Sequence, residues 1–266
     1  MISLGNKGVS GHLPSRAAPA RVHACARSCV KIPLTAIGKI PKRYTVERVK
    51  MVRKKDINIL IACEESQVEC KAFRDAGYNA FSCDVQYPHK RANIAWHIVG
   101  DVTPLLNGRT TFRTMDNKTH RLEKWHLIIA HPPCTYLCKV GSVWLYQDGE
   151  VDPERLTKMQ QARDFFMQCY NSLADYVCVE NPLPMARANL PKPSCFVQPF
   201  WYGHPYSKKT LYWLRNLPPL MPECEVSDIK EFVRSSRGKY RSRSFQGIAN
   251  AMVKQWGNFI LDEMNK

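Results

Sequence analysis

Ile57-Asn58-Ile59-Leu60-Ile61-Ala62 is a continuous, largely apolar run of strand length, and Cys63-Glu64-Glu65-Ser66 follows it at once. Gln67 to Ala76 then reads as a helix and Asn79 to Cys83 as a second short strand. Strand, helix and strand in this order make a βαβ unit, the building block of a parallel sheet covered by helices. Apolar runs without alternation suit strands buried on both faces.

Outward from this unit the pattern repeats. Leu127 to Ala130 and Tyr176 to Val179 are further short apolar runs, each ending in polar or Pro-containing residues of the kind that build sites at strand ends. Between them a helix starts after Asp152 as N-cap, with Pro153 in the first position and Leu156, Met159, Phe166, Cys169, Tyr170 and Leu173 on one face. A last helix runs from about Ile248 to Met264, with Ile248, Met252, Gln255/Trp256 and Phe259 at helical spacing. No internal repeat is visible. The expectation is one α/β domain with a mostly parallel sheet.

Composition sets limits on function. The net charge is +16, but residues 1–55 hold thirteen of the 39 Lys/Arg and only Glu47 of the 23 Asp/Glu. The remainder therefore carries 26 basic and 22 acidic residues, a net of +4, and charge alone does not name a nucleic-acid partner. Residues 1–50, rich in Ser, Ala, Arg, Pro and Gly, read as a basic extension outside the fold: a disordered arm, an organelle transit peptide, or the product of an over-extended start, with Met51 opening the domain. No apolar run approaches the ~18 residues of a membrane span. The eleven cysteines are odd in number, follow no secretory signal and fall partly inside core strands (Cys83, Cys178), which fits a reducing cytoplasm. Cys25/Cys29 and Cys134/Cys138 each have the spacing of half a zinc site, but neither has a second pair, so no metal is expected.

The sharpest chemical signal is His131-Pro132-Pro133-Cys134, directly after an apolar strand. Two prolines stiffen the backbone and remove two donors, so Cys134 is held on a rigid loop at a strand's carboxyl end, where α/β sheets bind ligands. Enzymes that methylate an exocyclic nitrogen place an aromatic residue after the prolines; a thiol there suits covalent attack on a ring carbon. A cysteine phosphatase is excluded, because Lys139 and Val140 stand where a phosphate-cradling Arg is required. The second signal is Val179-Glu180-Asn181-Pro182, a carboxylate at another strand end. Alone it reads as a solvated loop acid. Paired with Cys134 it has a use: adding a thiolate to C6 of cytosine is easier when an acid engages N3, and Glu180 is placed to do so.

On these motifs the chain resembles the cytosine-C5 DNA methyltransferases, over residues 57 to about 260 and in the family's order. Pro132-Pro133-Cys134 and Glu180-Asn181-Pro182 are similar to its two catalytic signatures, and residues 59–66 with Phe73, Ala76-Gly77 and Asp84 look like its cofactor segment. The resemblance implies a Rossmann-like class I methyltransferase sheet with helices on both faces, S-adenosyl-L-methionine as cofactor, double-stranded DNA as partner, base flipping, a monomer, and the cytoplasm of a bacterial or phage-infected cell. It further implies Cys134 and Glu180 as catalytic residues; Cys63, Glu64, Ser66, Asp84 (ribose), Asp101 (adenine), Pro132 and Asn250 around the cofactor; and Lys208, Lys209, Arg241 and Arg243 toward DNA. Gly203-His204-Pro205-Tyr206-Ser207-Lys208-Lys209-Thr210 is closest to compact, phage-type members, and Phe245 to Met252 resembles the closing segment.

Three departures stand out. Cys63-Glu64-Glu65-Ser66 replaces the family's Phe-x-Gly-x-Gly loop, so the backbone approaches the methionine moiety differently. Lys stands where the family's base-holding strand has Arg. Only about 30 residues, Asn216 to Ser244, occupy the place of a long target-recognition region, which makes the recognition appendage very small. Within it Arg234, Arg237, Lys239, Arg241 and Arg243 with Tyr240 form a basic run that reads equally as a phosphate grip and as a solvated loop. Two other readings follow from these departures: a catalytically silent DNA-binding or S-adenosylmethionine-binding phage accessory protein, and an RNA cytosine methyltransferase.

Overall fold

A computed structural model describes residues 51–224, 226–232 and 243–266. The expected extension at residues 1–50 and the basic positions Arg234, Arg237, Lys239, Tyr240 and Arg241 lie outside the described residues. Seven strands form the main sheet: β1 (Asn58–Ala62), β2 (Asn79–Asp84), β3 (His97–Val99), β4 (Trp125–Ala130), β5 (Ala174–Asn181), β6 (Cys195–Val197) and β7 (Thr210–Arg215), in the order β6-β7-β5-β4-β1-β2-β3. β1 to β5 run parallel, and β7 runs antiparallel to both β5 and β6.

Every residue of β1 and β4 is buried, and alternate residues serve opposite faces. Leu60, Ala62, Ile128 and Ala130 join the core under α2 (Thr103–Leu106) and α3 (Pro153–Tyr170), where Phe166 meets Trp213 edge to face at 5.0 Å. Ile59, Ile61, Leu127 and Ile129 join the core under α1 (Val68–Asp75), α4 (Gln246–Met252) and α5 (Asn258–Glu263), with Phe73, Tyr78, Tyr212 and Trp256 as its large members. Helices on both faces of a mostly parallel sheet make this a Rossmann-like α/β fold.

The strand order carries a functional consequence. From β1 the chain builds outward to β2 and β3, then returns to the other side of β1 for β4. The gap between the ends of β1 and β4 is therefore the topological switch point, outside which open α/β sheets bind ligands. The loops leaving it are Cys63 to Gln67 and His131 to Cys134.

Several expected elements are corrected. β5 runs through Glu180 and Asn181 rather than ending at Val179, because antiparallel pairing with β7 (Glu180 with Tyr212, Asn181 with Leu211) continues the ladder past the apolar run. α3 stops at Tyr170, so Leu173 lies beyond its core face and is exposed, its N–H donating to Leu106 O in the turn that follows. The closing helix is two α-segments joined by a π-helical stretch, Val253–Gly257. β3 and β6, with three residues each, are too short to stand out in the sequence, whereas β7 is a six-residue strand around the apolar run Leu211 to Leu214 that was not read as a separate strand. Among the described residues no helix is long and apolar enough to cross a membrane.

Gly247 shows how tightly α4 is seated. A Cβ there would lie 1.8 Å from the carbonyl oxygen of Tyr202, a backbone atom that cannot swing aside. Gly247→Ala is expected to destabilise the fold by about 1–3 kcal/mol through overpacking, read as a lowered urea midpoint with an unchanged slope.

Candidate active site

The loop after β1 contains no glycine, and its turn is made by Cys63 (φ 60°) and Gln67 (φ 57°) in the left-handed region. Non-glycine residues cost about 1 kcal/mol or more there, so something must hold them. Glu64 does much of this: its Oε1 accepts from Glu69 N at 2.7 Å and its Oε2 from Cys70 N at 3.3 Å, closing the N-terminus of α1 with a carboxyl group. Gln67 donates from Nε2 to Ser82 Oγ and Asn93 O at 3.0 and 3.1 Å and accepts from Asn93 N at 2.7 Å, tying the loop to β2. Burial, with Glu69 nearby, pushes the Glu64 carboxyl up to about 8.

Asp84 ends β2 and Asp101 follows β3 by two residues. Each fixes its own turn with one oxygen: Asp84 Oδ1 accepts from Gln86 N at 2.8 Å, and Asp101 Oδ1 from Thr103 N at 2.9 Å. Beyond β4, His131 N still bonds to Ala62 O at 3.0 Å, after which the two prolines carry the chain out to Cys134. Asn181 Nδ2 donates to Pro132 O at 3.3 Å, linking the end of β5 to this loop. Cys134 O accepts from Leu137 N and Cys138 N in the turn that follows.

These loops surround one cavity of about 1120 Å³. Cys63, Glu64, Ser66, Asp84 and Asp101 line it together with Pro132, Cys134, Glu180, Lys208 and Arg243. Ten of the expected site residues thus meet in one space, larger than the ~300–1,000 Å³ typical of a single small-ligand pocket. Asn250 does not join them: the core-facing side of α4 is made by Ile248, Ala251 and Met252, and Asn250 is exposed, accepting from Gln246 Nε2. Lys209 is also absent from the lining, because successive residues of an extended segment point to opposite sides; its Nζ sits 4.4 Å from the Phe196 ring centroid. Arg241 lies outside the described residues.

The sequence reading missed the polar network behind Glu180. His131 is clamped between two carboxylates, with Nδ1 3.1 Å from Glu180 Oε2 and Nε2 2.8 Å from Glu69 Oε2. Ser244 Oγ donates to Glu69 Oε1 at 2.7 Å. Burial opposes a charge on His131, but the Glu69 charge and the bonds to Glu180 and Glu69 outweigh it and raise the ring well above its ordinary 6.5. Burial likewise opposes ionisation of Glu180, yet the His131 bond and charge, with Lys208, bring its carboxyl below the usual value. One signal for Glu69 was available: it shares a helical face with Ala72, Phe73 and Ala76, so a glutamate there had to be buried.

Cys134 rests as a thiol. Burial, then Cys138 and Glu180, push it up to about 11 against a smaller downward pull that includes Lys208. Among the described residues no cluster of His, Cys, Asp and Glu is arranged to hold a metal ion.

No family model and no curated protein matches this chain. Among solved structures it is similar to an E. coli chain described as a "putative DNA modification methyltransferase encoded within prophage", at 14% identity and a TM-score of 0.36 over 64% of this chain. The chain spans about half (52%) of that structure's length. A likeness of this size carries no argument, and the fold rests on the strand order.

The raised Cys134 thiol has a direct readout. At pH 8 only about one molecule in a thousand carries the thiolate, so iodoacetamide should label Cys134 slowly, at a rate still climbing at pH 10 when followed by peptide mass spectrometry. A rate that levels off near pH 8 refutes this.

Proposed function

We propose that this chain is a methyltransferase acting on C5 of cytosine in double-stranded DNA, with S-adenosyl-L-methionine as methyl donor, Cys134 as nucleophile and Glu180 as the group that engages N3 of the base. The observation that carries the reading is that the thiol of Cys134 and the carboxyl of Glu180 line the same cavity as the strand-end carboxylates Asp84 and Asp101. Residues 51–266 are the catalytic unit in this reading, with residues 1–50 a basic extension and residues 216–244 a reduced recognition segment, acting as a monomer in a bacterial or phage-infected cytoplasm.

The cofactor end fits a nucleoside. Asp84 and Asp101 each spend one oxygen on a backbone N–H and line the cavity at neighbouring strand ends, a donor-seeking pair suited to a ribose diol and an adenine amine, while Val102 and Phe165 add apolar lining. Cys63, Glu64 and Ser66 lie toward the methionine end, beside Pro132. When bound, the cofactor supplies an electrophilic methyl group.

The target base must leave the stack, because a stacked cytosine hides its ring face. In this reading Lys208 and Arg243, which line the cavity, receive the flipped nucleotide, and Lys209 and Arg241 are assigned to the DNA backbone. Cys134 gives up its proton to solvent as sulfur bonds to C6, and the displaced electron pair moves through C5 toward N3, where Glu180 supports it. Loss of the C5 hydrogen and departure of Cys134 restore the ring after transfer.

Purified protein with labelled donor and duplex DNA should yield 5-methylcytosine. Cys134→Ser should lower the rate by at least ~10³-fold without changing the unfolding midpoint, and DNA containing 5-fluorocytosine should trap a covalent adduct only when Cys134 is present. Normal methylation by Cys134→Ser removes the covalent role; label entering RNA but not DNA favours the RNA reading; cofactor or DNA binding without transfer favours the silent one.

A further inference from the structure

The clamped histidine stands directly behind Glu180, where its protons bear on the reaction. An ionised carboxylate offers only lone pairs, and N3 of neutral cytosine is also a lone pair, so Glu180 and N3 repel each other unless a proton lies between them. Its source must be close and enclosed. His131 Nδ1 lies 3.1 Å from Glu180 Oε2, and each of the two ring-to-carboxylate contacts needs one hydrogen. Glu69, His131 and Glu180 together therefore hold two protons and one net negative charge. The arrangement is lopsided. Glu69 is 1% exposed and both its oxygens are engaged, one by His131 and one by Ser244, whereas Glu180 is 22% exposed and lines the cavity. The proton has one useful direction to travel, toward the cavity.

We propose that His131 is the proton-supplying residue behind Glu180: its Nδ1 proton passes to the Glu180 carboxylate, and the carboxyl group delivers a proton to N3 as sulfur adds to C6. The Nδ1–H bond breaks and an N3–H bond forms. His131 ends as a neutral imidazole still donating Nε2–H to Glu69, Glu180 ends as a carboxylate, and the proton returns by the same route when Cys134 departs. His131 does not touch the substrate, so it is a positioning and supplying residue. The inference rests on the cytosine-C5 reading above.

The groups facing the pair come from every neighbouring element: Glu69 from α1, Glu64 from the loop after β1, Cys134 from the loop after β4, Cys178 from β5, Tyr212 from β7, Lys208 ahead of it, and Arg243 and Ser244 ahead of α4. Burial and Glu69 push the Glu64 carboxyl up, and Lys208 draws the Glu180 carboxyl down. In the wild type the transferable proton is lost only as pH rises through the raised titration of His131. In His131→Gln it can reside only on the Glu180 carboxyl, an acid, so the alkaline fall in rate moves to lower pH.

The experiment has two arms. Methyl transfer to cytosine DNA is followed against pH for wild type, His131→Gln and Glu69→Gln, with folding checked by urea unfolding. His131→Gln should lose about 10²–10³-fold in kcat at pH 8, recover part of it toward pH 6, and change KM for DNA less than about threefold; Glu69→Gln should move the alkaline limb in the same direction by less. In the second arm, ¹⁵N-histidine NMR of the unliganded wild type should find both ring nitrogens of His131 protonated at pH 7.5. A neutral His131 there, or a His131→Gln profile that falls in parallel with wild type, overturns the proposal and leaves the methyltransferase reading standing. A wild type that makes no methylcytosine overturns that reading, and the supplying role with it, whatever the ring's protonation.

Discussion

One imidazole ring between two carboxylates ties the site together. His131 joins α1, through Glu69, to β5, through Glu180, across the gap left by the switch point. A buried carboxylate without a counter-charge is costly, and loss of the ring would leave Glu69 with the Ser244 hydroxyl alone, so the ring contributes to the placement of α1 against the sheet. Cys134, three residues on, inherits its position from the same anchor: His131 N holds Ala62 O, and Pro132 O receives Asn181 Nδ2. Cys134 and Glu180 are thus positioned by one short stretch of chain and the strand beside it.

The electrostatics have a consistent logic. Charged groups at the back of the site are paired, while the group intended for attack is neutral at rest. A thiol held up by burial is protected from adventitious alkylation and oxidation. On the proposed reading it becomes reactive only when a base fills the cavity and offers an electron sink at N3. Catalytic strength here comes from arranged donors and acceptors rather than from a permanently activated sulfur.

Much of this was legible in the sequence, and for identifiable reasons. β1 and β4 are buried on both faces and so appear as unbroken apolar runs; the helix after Asp152 has its cap and its proline, and Asp152 does accept from Glu154 N and Arg155 N. Strand-end positions for Cys134 and Asp84 followed from where those runs stop, whereas Asp101 was placed by the family resemblance alone. β3 and β6 escaped because three-residue strands are defined by their neighbours rather than by their own composition, and β7 entered only through the resemblance although its apolar centre, Leu211 to Leu214, is of strand length. Asn250 was misplaced because family order gives a residue's neighbourhood but not its helical phase. The His131 clamp escaped because Glu69 is five residues past Glu64 and 62 before His131, a juxtaposition set by packing alone.

The reversed direction of β7 has a consequence for how such a protein acquires new partners. Because β7 starts at the site and runs away from it, Asn216 emerges at the opposite rim, where its Nδ2 holds Asp175 O, while Ser244 stands back at the site. The intervening stretch must climb the height of the sheet, roughly 20 Å for a strand of this length, outside its hydrogen-bond ladder. Lengthening a surface connection costs little closure entropy, about 0.6 kcal/mol per doubling. The seven-stranded ladder itself lies outside this connection, so added length is accommodated beyond Cys224, after the part that is anchored by Leu220 in the core, Pro218 O on Trp256 Nε1 and Met221 N on Gln255 Oε1.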